Sequence, residues 1–562
     1  MCRPAALPVI KNMQLQPAIK TILNKRGIST AEDVVEFLSD KPRKTYDPYL
    51  LKGMDDAVEL VLGAIETGAG ICVYGDYDAD GVTSVALMMD VLRTAGAECS
   101  YYIPSRFDEG YGLNSDALDR IKKAGAELVI TVDCGCSSVA EVAHAHEIGL
   151  EIIVTDHHEL KGELPDCALI DPKQPGCGYP FKSLAGVGVA FKFAQAISAE
   201  LGLPKQTVTR NLDLVGIGTV GDIVPLLDEN RTLAKYGLRA INISERAGLR
   251  ALIEKTGLKQ GEINSRSVSF VIVPHINAAG RMGNATDAAR LMLAGDEKRA
   301  DALVDILISS NMKRRETQET IYRDCIGHIG ENGADGGFLL VELEDAHEGV
   351  TGIVCGMLKE TYKVPSIIVT SVDEATCKGT GRSTDNIDIF RLLSRRNDLF
   401  VRFGGHAAAC GFTILREDVP KLRDFLEQEI GTMKSENPSL FETPVEADVR
   451  LEPSDVSFEF VGQLRALEPF GKCNELPLVE ISMKPGDVRR MGSEGQYLSF
   501  TGELADGTGV RCVDFGEADR TERAIARADG AEMAFIGKLE EQTWNGRRYL
   551  QMTISAEGEV DG

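Results

Sequence analysis

No run in the sequence reaches 18 apolar residues, so no helical membrane span is expected. The first residues, Met-Cys-Arg-Pro-Ala-Ala-Leu-Pro, lack the apolar stretch of a secretory signal. The 13 cysteines are odd in number and irregularly spaced, so a reducing cytoplasm is expected and a disulfide framework is not. Positive charge is in deficit: 61 Lys and Arg stand against 86 Asp and Glu, a formal net charge of −25. That balance argues against a general nucleic-acid coat protein. It leaves a nucleic-acid enzyme open, because metals offset carboxylates and a basic groove can sit in an acidic exterior. At 562 residues, and with about 100–200 residues per domain, several domains are expected.

What is present is most informative between residues 71 and 84, Ile-Cys-Val-Tyr-Gly-Asp-Tyr-Asp-Ala-Asp-Gly-Val-Thr-Ser. An apolar, β-rich run from Ile71 to Tyr74 leads into Asp76, Asp78 and Asp80, and helical spacing returns from Val82. Carboxylates this close repel one another unless a cation neutralises them, and hard divalent ions take oxygen ligands. A solvated acidic turn or a calcium loop would use the same residues. An EF-hand, however, needs a helix before its loop and a Glu about 12 positions after the first ligand. From 51 to 225, strand-like runs (71–74, 99–103, 127–132, 151–155) alternate with helical ones (54–67, 82–95, 115–124, 137–148). That is the rhythm of βαβ units and a mostly parallel sheet.

The later strands also end in polar residues: 127–132 runs into Asp133-Cys-Gly-Cys, and 151–155 into Asp156-His157-His158. A Gly-rich turn at 218–225 adds Asp222. Parallel strands place their carboxyl ends on one edge, so these residues can converge with Asp76, Asp78 and Asp80. Taken singly, a post-strand Asp reads as a helix cap, Asp-His-His as a solvated turn, and Cys134 and Cys136 as sheet-edge residues rather than zinc ligands. Four coincidences at one edge are harder to accept than one shared purpose. Carboxylates with an imidazole suit two divalent ions, Mg²⁺ or Mn²⁺, and the imidazole favours Mn²⁺. Two ions about 3.5–4 Å apart stabilise attacking and leaving oxygens at phosphorus. No Ser-His-Asp arrangement or Walker loop competes, and Gly216-x-Gly218 is too weak a signal for a dinucleotide site. Phosphoester hydrolysis is the reading.

Gly75–Ser84, Val132-Asp-Cys-Gly135, Asp156-His-His158 and Gly221-Asp222 resemble the four motifs of the DHH phosphoesterase superfamily. Ile-Pro-Ser-Arg-Phe-Asp-Glu-Gly-Tyr-Gly-Leu at 103–113 and Tyr179–Ala190 narrow the resemblance to the RecJ family of bacterial single-strand-specific exonucleases. The resemblance implies that Asp78, Asp80, Asp133, His157 and Asp222 ligate two metals, with Asp133 bridging and Asp76 ligating or supporting. It also implies that His158 faces the scissile phosphate and that Asp156 orients the histidines. The implied activity is 5′→3′ hydrolysis of single-stranded DNA to 5′-mononucleotides in recombination and repair. The implied actor is a monomer working with a single-strand-binding protein and a helicase.

In the second half, Asp301 to Ile329 reads as one connecting helix. Pro274–Gly283, with Asn277 and Arg281 among small residues, suits close approach to a phosphate or a tight helix-packing turn. A similar RecJ element carries Arg where this chain has His275. Gly379-Thr-Gly-Arg382-Ser383 and Gly404-Gly-His406 read as anion cradles or as β-turns in a packed sheet. They resemble the signatures of the DHHA1 domain, and this implies that Arg281, Arg382, Ser383 and His406 hold backbone phosphates, with Asn277 beside them. Arg391, Arg395, Arg396 and Arg402 read as a solvated face. From 445 to 560, short β runs alternate with Gly turns and a hairpin with an Asn-Gly turn, which fits an OB-type barrel. Trp544 and Tyr549 are its stacking platforms or half-buried hairpin aromatics. Leu467–Asn474 resembles a Pro-Phe-Gly-x-Gly-Asn-Pro turn, with Cys473 and Glu475 in place of the Gly and the final Pro.

The expected fold is α/β: a helical lead-in (1–50), a parallel-sheet DHH domain (51–298), a connecting helix (299–330), a smaller α/β DHHA1 domain (331–436) and an OB-type barrel (445–562). The alternative within the class is a DHH phosphodiesterase acting on short oligoribonucleotides or cyclic dinucleotides. Such enzymes are typically shorter and lack the barrel. A catalytically dead replication scaffold is argued against by the intact acids and His157.

Overall fold

Ile71, Cys72, Val73 and Tyr74 are all buried, the pattern of a strand covered on both faces, and they form the centre of β1 (Gly70–Gly75). In the computed structural model, β1 joins β2 (Cys99–Tyr102), β3 (Ala126–Val132), β4 (Glu151–Thr155) and β5 (Ala168–Ile170) in a parallel sheet of order β2-β1-β3-β4-β5. The order reverses at β1 and β3, and ligands of open α/β sheets sit in that crevice at the carboxyl ends. The structure describes residues 15–110, 112–160, 162–330, 333–442 and 444–557. The expectations on the opening segment, on Tyr111 of the 103–113 stretch and on the end of the barrel segment lie outside the described residues.

The stretch around Gly218 differs from the expected turn. It lies inside the helix Leu212–Gly221, and Asp222 caps that helix at its carboxyl end. The glycines serve packing: a Cβ on Gly218 would come within 2.5 Å of Thr83 Oγ1 and 2.7 Å of Asp80 Oδ1. The helix therefore presses against the start of Ala79–Thr94, which follows β1.

The connecting helix Glu297–Ile329 has 33 residues and spans about 50 Å at 1.5 Å per residue. Beyond it a second sheet holds β6 (Leu339–Leu343), β7 (Ser366–Ser371), β8 (Thr376–Arg382), β9 (Phe400–His406) and β10 (Ala409–Leu415) in the order β6-β7-β8-β10-β9. The Gly-rich stretches at 379–383 and 404–411 are thus largely strand rather than turn. Gly379 lies under the Phe412 ring, which fills the space a side chain would need.

The third unit contains β11 (Val449–Leu451), β12 (Val479–Met491), β13 (Tyr497–Glu503), β14 (Gly509–Asp514), β15 (Met533–Trp544) and β16 (Arg547–Glu557), with β12 pairing β15 to close a barrel. Asn545 and Gly546, both with positive φ, make its last hairpin turn. The lead-in helices Pro17–Lys25 and Ala31–Leu38 are not a free-standing element. Ile19, Ile22, Leu23, Phe37 and Leu38 share one buried core with Phe460, Phe500 and Phe535 of the barrel unit. Arg231 binds both parts to the first domain: its guanidinium lies 3.6 Å from the Phe37 ring and donates to Phe37 O and Glu468 O. No helix among the described residues is long and apolar enough to cross a membrane.

Candidate metal centre

The loops after β1, β3 and β4 and the end of the helix Leu212–Gly221 bring their acids to the sheet's reversal point. Asp78 caps Ala79–Thr94, accepting from Asp80 N at 2.9 Å and Gly81 N at 3.2 Å. Asp80 accepts from Gly186 N (2.7 Å) and Val187 N (2.8 Å), which open the helix Gly186–Glu200. The 179–190 motif thus delivers two amides to one buried carboxylate. Asp133 sits at φ +62°, a conformation open to Asp and Asn more than to most residues. Its carboxylate leaves Gly186 no room for a side chain.

The ligand atoms of Asp76, Asp78 and Asp133 lie within 4.8 Å of one another, and so do those of Asp80, His157 and Asp222. His157 Nε2 joins the two groups, 3.1 Å from Asp133 Oδ1, 3.5 Å from Asp222 Oδ2 and 3.9 Å from Asp80 Oδ2. Asp156 lies behind them and accepts from Cys136 N, His157 N and His158 Nδ1 at 2.9, 2.7 and 2.7 Å.

Burial pushes Asp76, Asp80 and Asp133 well above the usual carboxylate range, and the charges of their neighbours push them further. Asp222 is raised to about 7 by burial and by Asp78. Burial and the charge of His158 lower His157 to about 3, so its imidazole is neutral. Burial, the largest single influence, would lower His158 as well, but its hydrogen bond to Asp156 and the charges of Asp156, Asp222 and Asp76 together outweigh burial and raise it to about 9. Burial opposes ionisation of Asp156, yet the hydrogen bond and charge of His158 keep it below the usual range. Among the described residues, the buried atoms Asp76 Oδ1 and His157 Nε2 have no hydrogen-bond partner. Crowded carboxylates, a neutral imidazole and unpaired inward-facing atoms are the donor set that divalent cations require.

Three family models match in chain order: the DHH family N-terminal domain over residues 70–219, the DHHA1 domain over 335–432 and the RecJ OB domain over 447–556. The single-stranded-DNA-specific exonuclease RecJ of Bacillus subtilis is 37% identical over 550 residues, covering 97% of this chain and 68% of that protein. Its namesake in Escherichia coli is 32% identical over 566 residues, 96% of both chains. The crystal structure of RecJ in complex with Mn²⁺ from Thermus thermophilus superposes with a TM-score of 0.81 at 30% identity, over 97% of this chain and 76% of that one. The chain belongs to the RecJ family.

In this RecJ-family chain, all eight acids and histidines expected at the centre meet there. The expected phosphate-binding residues are more dispersed. Asn277 Oδ1 accepts from Ala79 N at 2.7 Å and so fixes the start of the metal-side helix. Arg281 Nη1 donates to Gly349 O at 2.9 Å and links the first domain to the second. Arg382 donates to Gly381 O, and Ser383 is only 3% exposed. Arg382, Ala409 and His406 are register partners across β8, β10 and β9. Strand alternation puts Lys378 and Arg402 on the same face as Arg382 and His406. Lys378 and Arg402 line a cleft of about 640 Å³ together with Arg106 and with Glu348, which pairs with Lys378.

Sequence reasoning passed over Arg106, Lys378 and Asp171. Arg106 stacks 4.1 Å over the Tyr77 ring, and its signal was a place within the 103–113 motif. Lys378 was marked by the period-2 spacing to Arg382. Asp171 ends β5 in the same post-strand manner as Asp133; it is wholly buried beside Cys136 and Asp156 and is raised by burial to about 7. Arg395 and Arg396 pair with Glu429 and Asp398, as on a solvated face. His275 bonds Val271 O and Asn311, and Cys473 holds the glycine-like φ of +61°.

Proposed function

We propose that this chain is a single-stranded-DNA-specific exonuclease that hydrolyses phosphodiester bonds from the 5′ end to mononucleotides in recombination and repair. One observation carries the reading: two acid groups share a neutral histidine at the sheet's reversal point, next to a cleft lined by Arg106, Arg402 and the Lys378–Glu348 pair. The relatives reported above are named for this activity. Asp78, Asp80, Asp133, His157 and Asp222 would hold two divalent cations, Mn²⁺ before Mg²⁺, with Asp133 shared and Asp76 supporting. When bound, the cations supply Lewis acidity towards water and the phosphate oxygens.

The chain's own residues do the rest. Gly186 N and Val187 N hold Asp80 in one orientation, so the centre is preorganised. His158, kept protonated by Asp156, presents a cation at the outer edge of the cluster, where it offsets charge gathering on phosphate and can donate a proton to the departing oxygen. Arg281, Arg382 and the residues of the cleft hold flanking phosphates, and the barrel guides the strand.

The test is digestion of single strands labelled at either end, with duplex and RNA controls, in Mn²⁺, in Mg²⁺ and in chelator. Early release of the 5′ label as a mononucleotide, with intact duplex and no cleavage in chelator, is expected. First release of the 3′ label, or equal digestion of duplex, would overturn the reading.

A further inference from the structure

Two clefts meet around Phe270. The larger, about 720 Å³, runs along β15 of the barrel past Lys538, Glu540, Glu541 and Gln542, and its walls mix cations with carboxylates. The other, about 530 Å³, opens next to Asp222, at the end of the helix Leu212–Gly221. Ser269, Phe270 and Gly471 line both, so the barrel groove continues into the cavity at the acid cluster. Phe270 stands on the π-helical turn Val268–Ile272 with 75% of its surface exposed. π-Helical turns occur frequently at functional sites. Ile223, immediately after Asp222, is 67% exposed and held at φ +56°, which β-branched residues avoid. Strain of this kind clusters at ligand sites.

Charge identifies the occupant. Arg281, Arg314 and Lys472 line the second cavity and, among the described residues, no carboxylate does, in a chain of net charge −25. Arg314 is fixed in place: Nε and Nη2 donate to Asn311 Oδ1 at 3.2 and 2.9 Å, and Nη1 donates to Gln318 Oε1 at 2.6 Å. Asn311 Nδ2 lies 3.1 Å from His275 Nε2. Exposed apolar surface among anchored cations matches a polymer in which flat bases alternate with phosphates.

We infer that Phe270, flanked by Ile223, is a stacking post for an unpaired nucleobase of the strand as it enters the metal centre, a positioning role that rests on the activity proposed above. A base on this post leaves its phosphates facing Arg281, Arg314 and Lys472. Bases in a duplex already have stacking partners, so the post favours single strands.

The test uses the full chain in Mn²⁺ and two strands of one length, one normal and one with abasic residues at its 5′ end. Base–aromatic stacking predicts a KM about tenfold lower for the normal strand. Phe270→Ala removes that difference and leaves kcat at saturation; Phe270→Trp restores it. A 2-aminopurine placed just inside the 5′-terminal nucleotide is quenched on binding to the wild type and not to Phe270→Ala. Equal losses on both strands in Phe270→Ala, or no loss, would overturn the post. If the wild type digests both strands alike, this inference fails alone; if it digests neither, the proposed activity fails with it.

Discussion

Asp133→Asn should make the metal-free protein more stable and the metal-loaded protein inactive. Asp133 is 2% exposed and lies among the charges of Asp80, Asp78, Asp222 and Asp76. Asn keeps the shape and tolerates φ +62° nearly as well as Asp, so the change isolates charge. Each pKa unit by which burial and crowding raise a carboxyl corresponds to about 1.4 kcal/mol that the amide does not carry, and each kcal/mol moves the melting temperature of a domain this size by about 2–4 °C. The wild type gains about 2.7 kcal/mol from Mn²⁺ at a hundredfold excess over its Kd, a gain that the variant loses with its shared ligand. The sign of the pH effect follows as well. A carboxyl raised by folding binds more protons in the native state, so chelated wild type loses stability as pH climbs from about 4. The variant lacks that share of the loss. Thermal melts in chelator and in Mn²⁺, run beside hydrolysis, therefore cross: the variant melts higher in chelator and lower in metal. A variant less stable than wild type in chelator, or one that keeps the Mn²⁺ shift, would refute the reasoning.

Gly186→Ala places a Cβ 2.5 Å from Asp133 Oδ1 and 2.7 Å from its Cγ. The carboxylate must move, and kcat should fall by about 10²-fold or more with an unchanged far-UV spectrum; near-normal turnover would show that the centre is not held this tightly. Lys235 is lowered to about 7 by burial and by Arg231, while its ammonium donates to Phe37 O and Ser39 O. Above that pH the unfolded chain binds the extra proton, so stability rises between pH 7 and 10 by up to about 1.4 kcal/mol per unit. Lys235→Met should remove this rise in urea titrations of the two proteins compared pH by pH, and parallel curves would exclude it.

The metal-side acids were legible because their signal is local. Each follows a strand whose apolar run and βα rhythm can be read within about ten residues, and parallel topology gathers the strand ends. Asp222 was legible as an acid but not as a helix cap, because Gly216 and Gly218 look like turn residues until the neighbouring helix is in place. The same misreading affected Gly379, a strand residue made necessary by the Phe412 ring. Asp171 escaped because β5 has three residues, too few for a periodicity. The docking of Pro17–Lys25 against the barrel was out of reach. It rests on contacts more than 400 positions apart, such as Gln16 N to Gln463 Oε1 at 3.0 Å, which no local pattern encodes. A truncation at residue 445 would therefore uncover Ile19, Ile22 and Phe37 as well as remove the barrel.

A chain of net charge −25 can receive a polyanion because charge is sorted by place. Arg106, Arg402 and Lys378, the last paired with Glu348, line one cleft, and Arg281, Arg314 and Lys472 line a second cavity. Many exterior acids are already paired, as Asp519 and Glu522 are with Arg490. At about 0.1 M salt, charges more than about 10 Å away are largely screened, so a strand in the clefts responds chiefly to the nearby cations. Beside the second cavity it meets the acid cluster at Asp222, which repels phosphate until cations fill it. Cation and strand therefore stabilise each other's binding, and by reciprocity a bound strand must tighten the hold on the metal by the same factor. The crowding that destabilises the metal-free centre is thus also what makes strand capture depend on divalent cations.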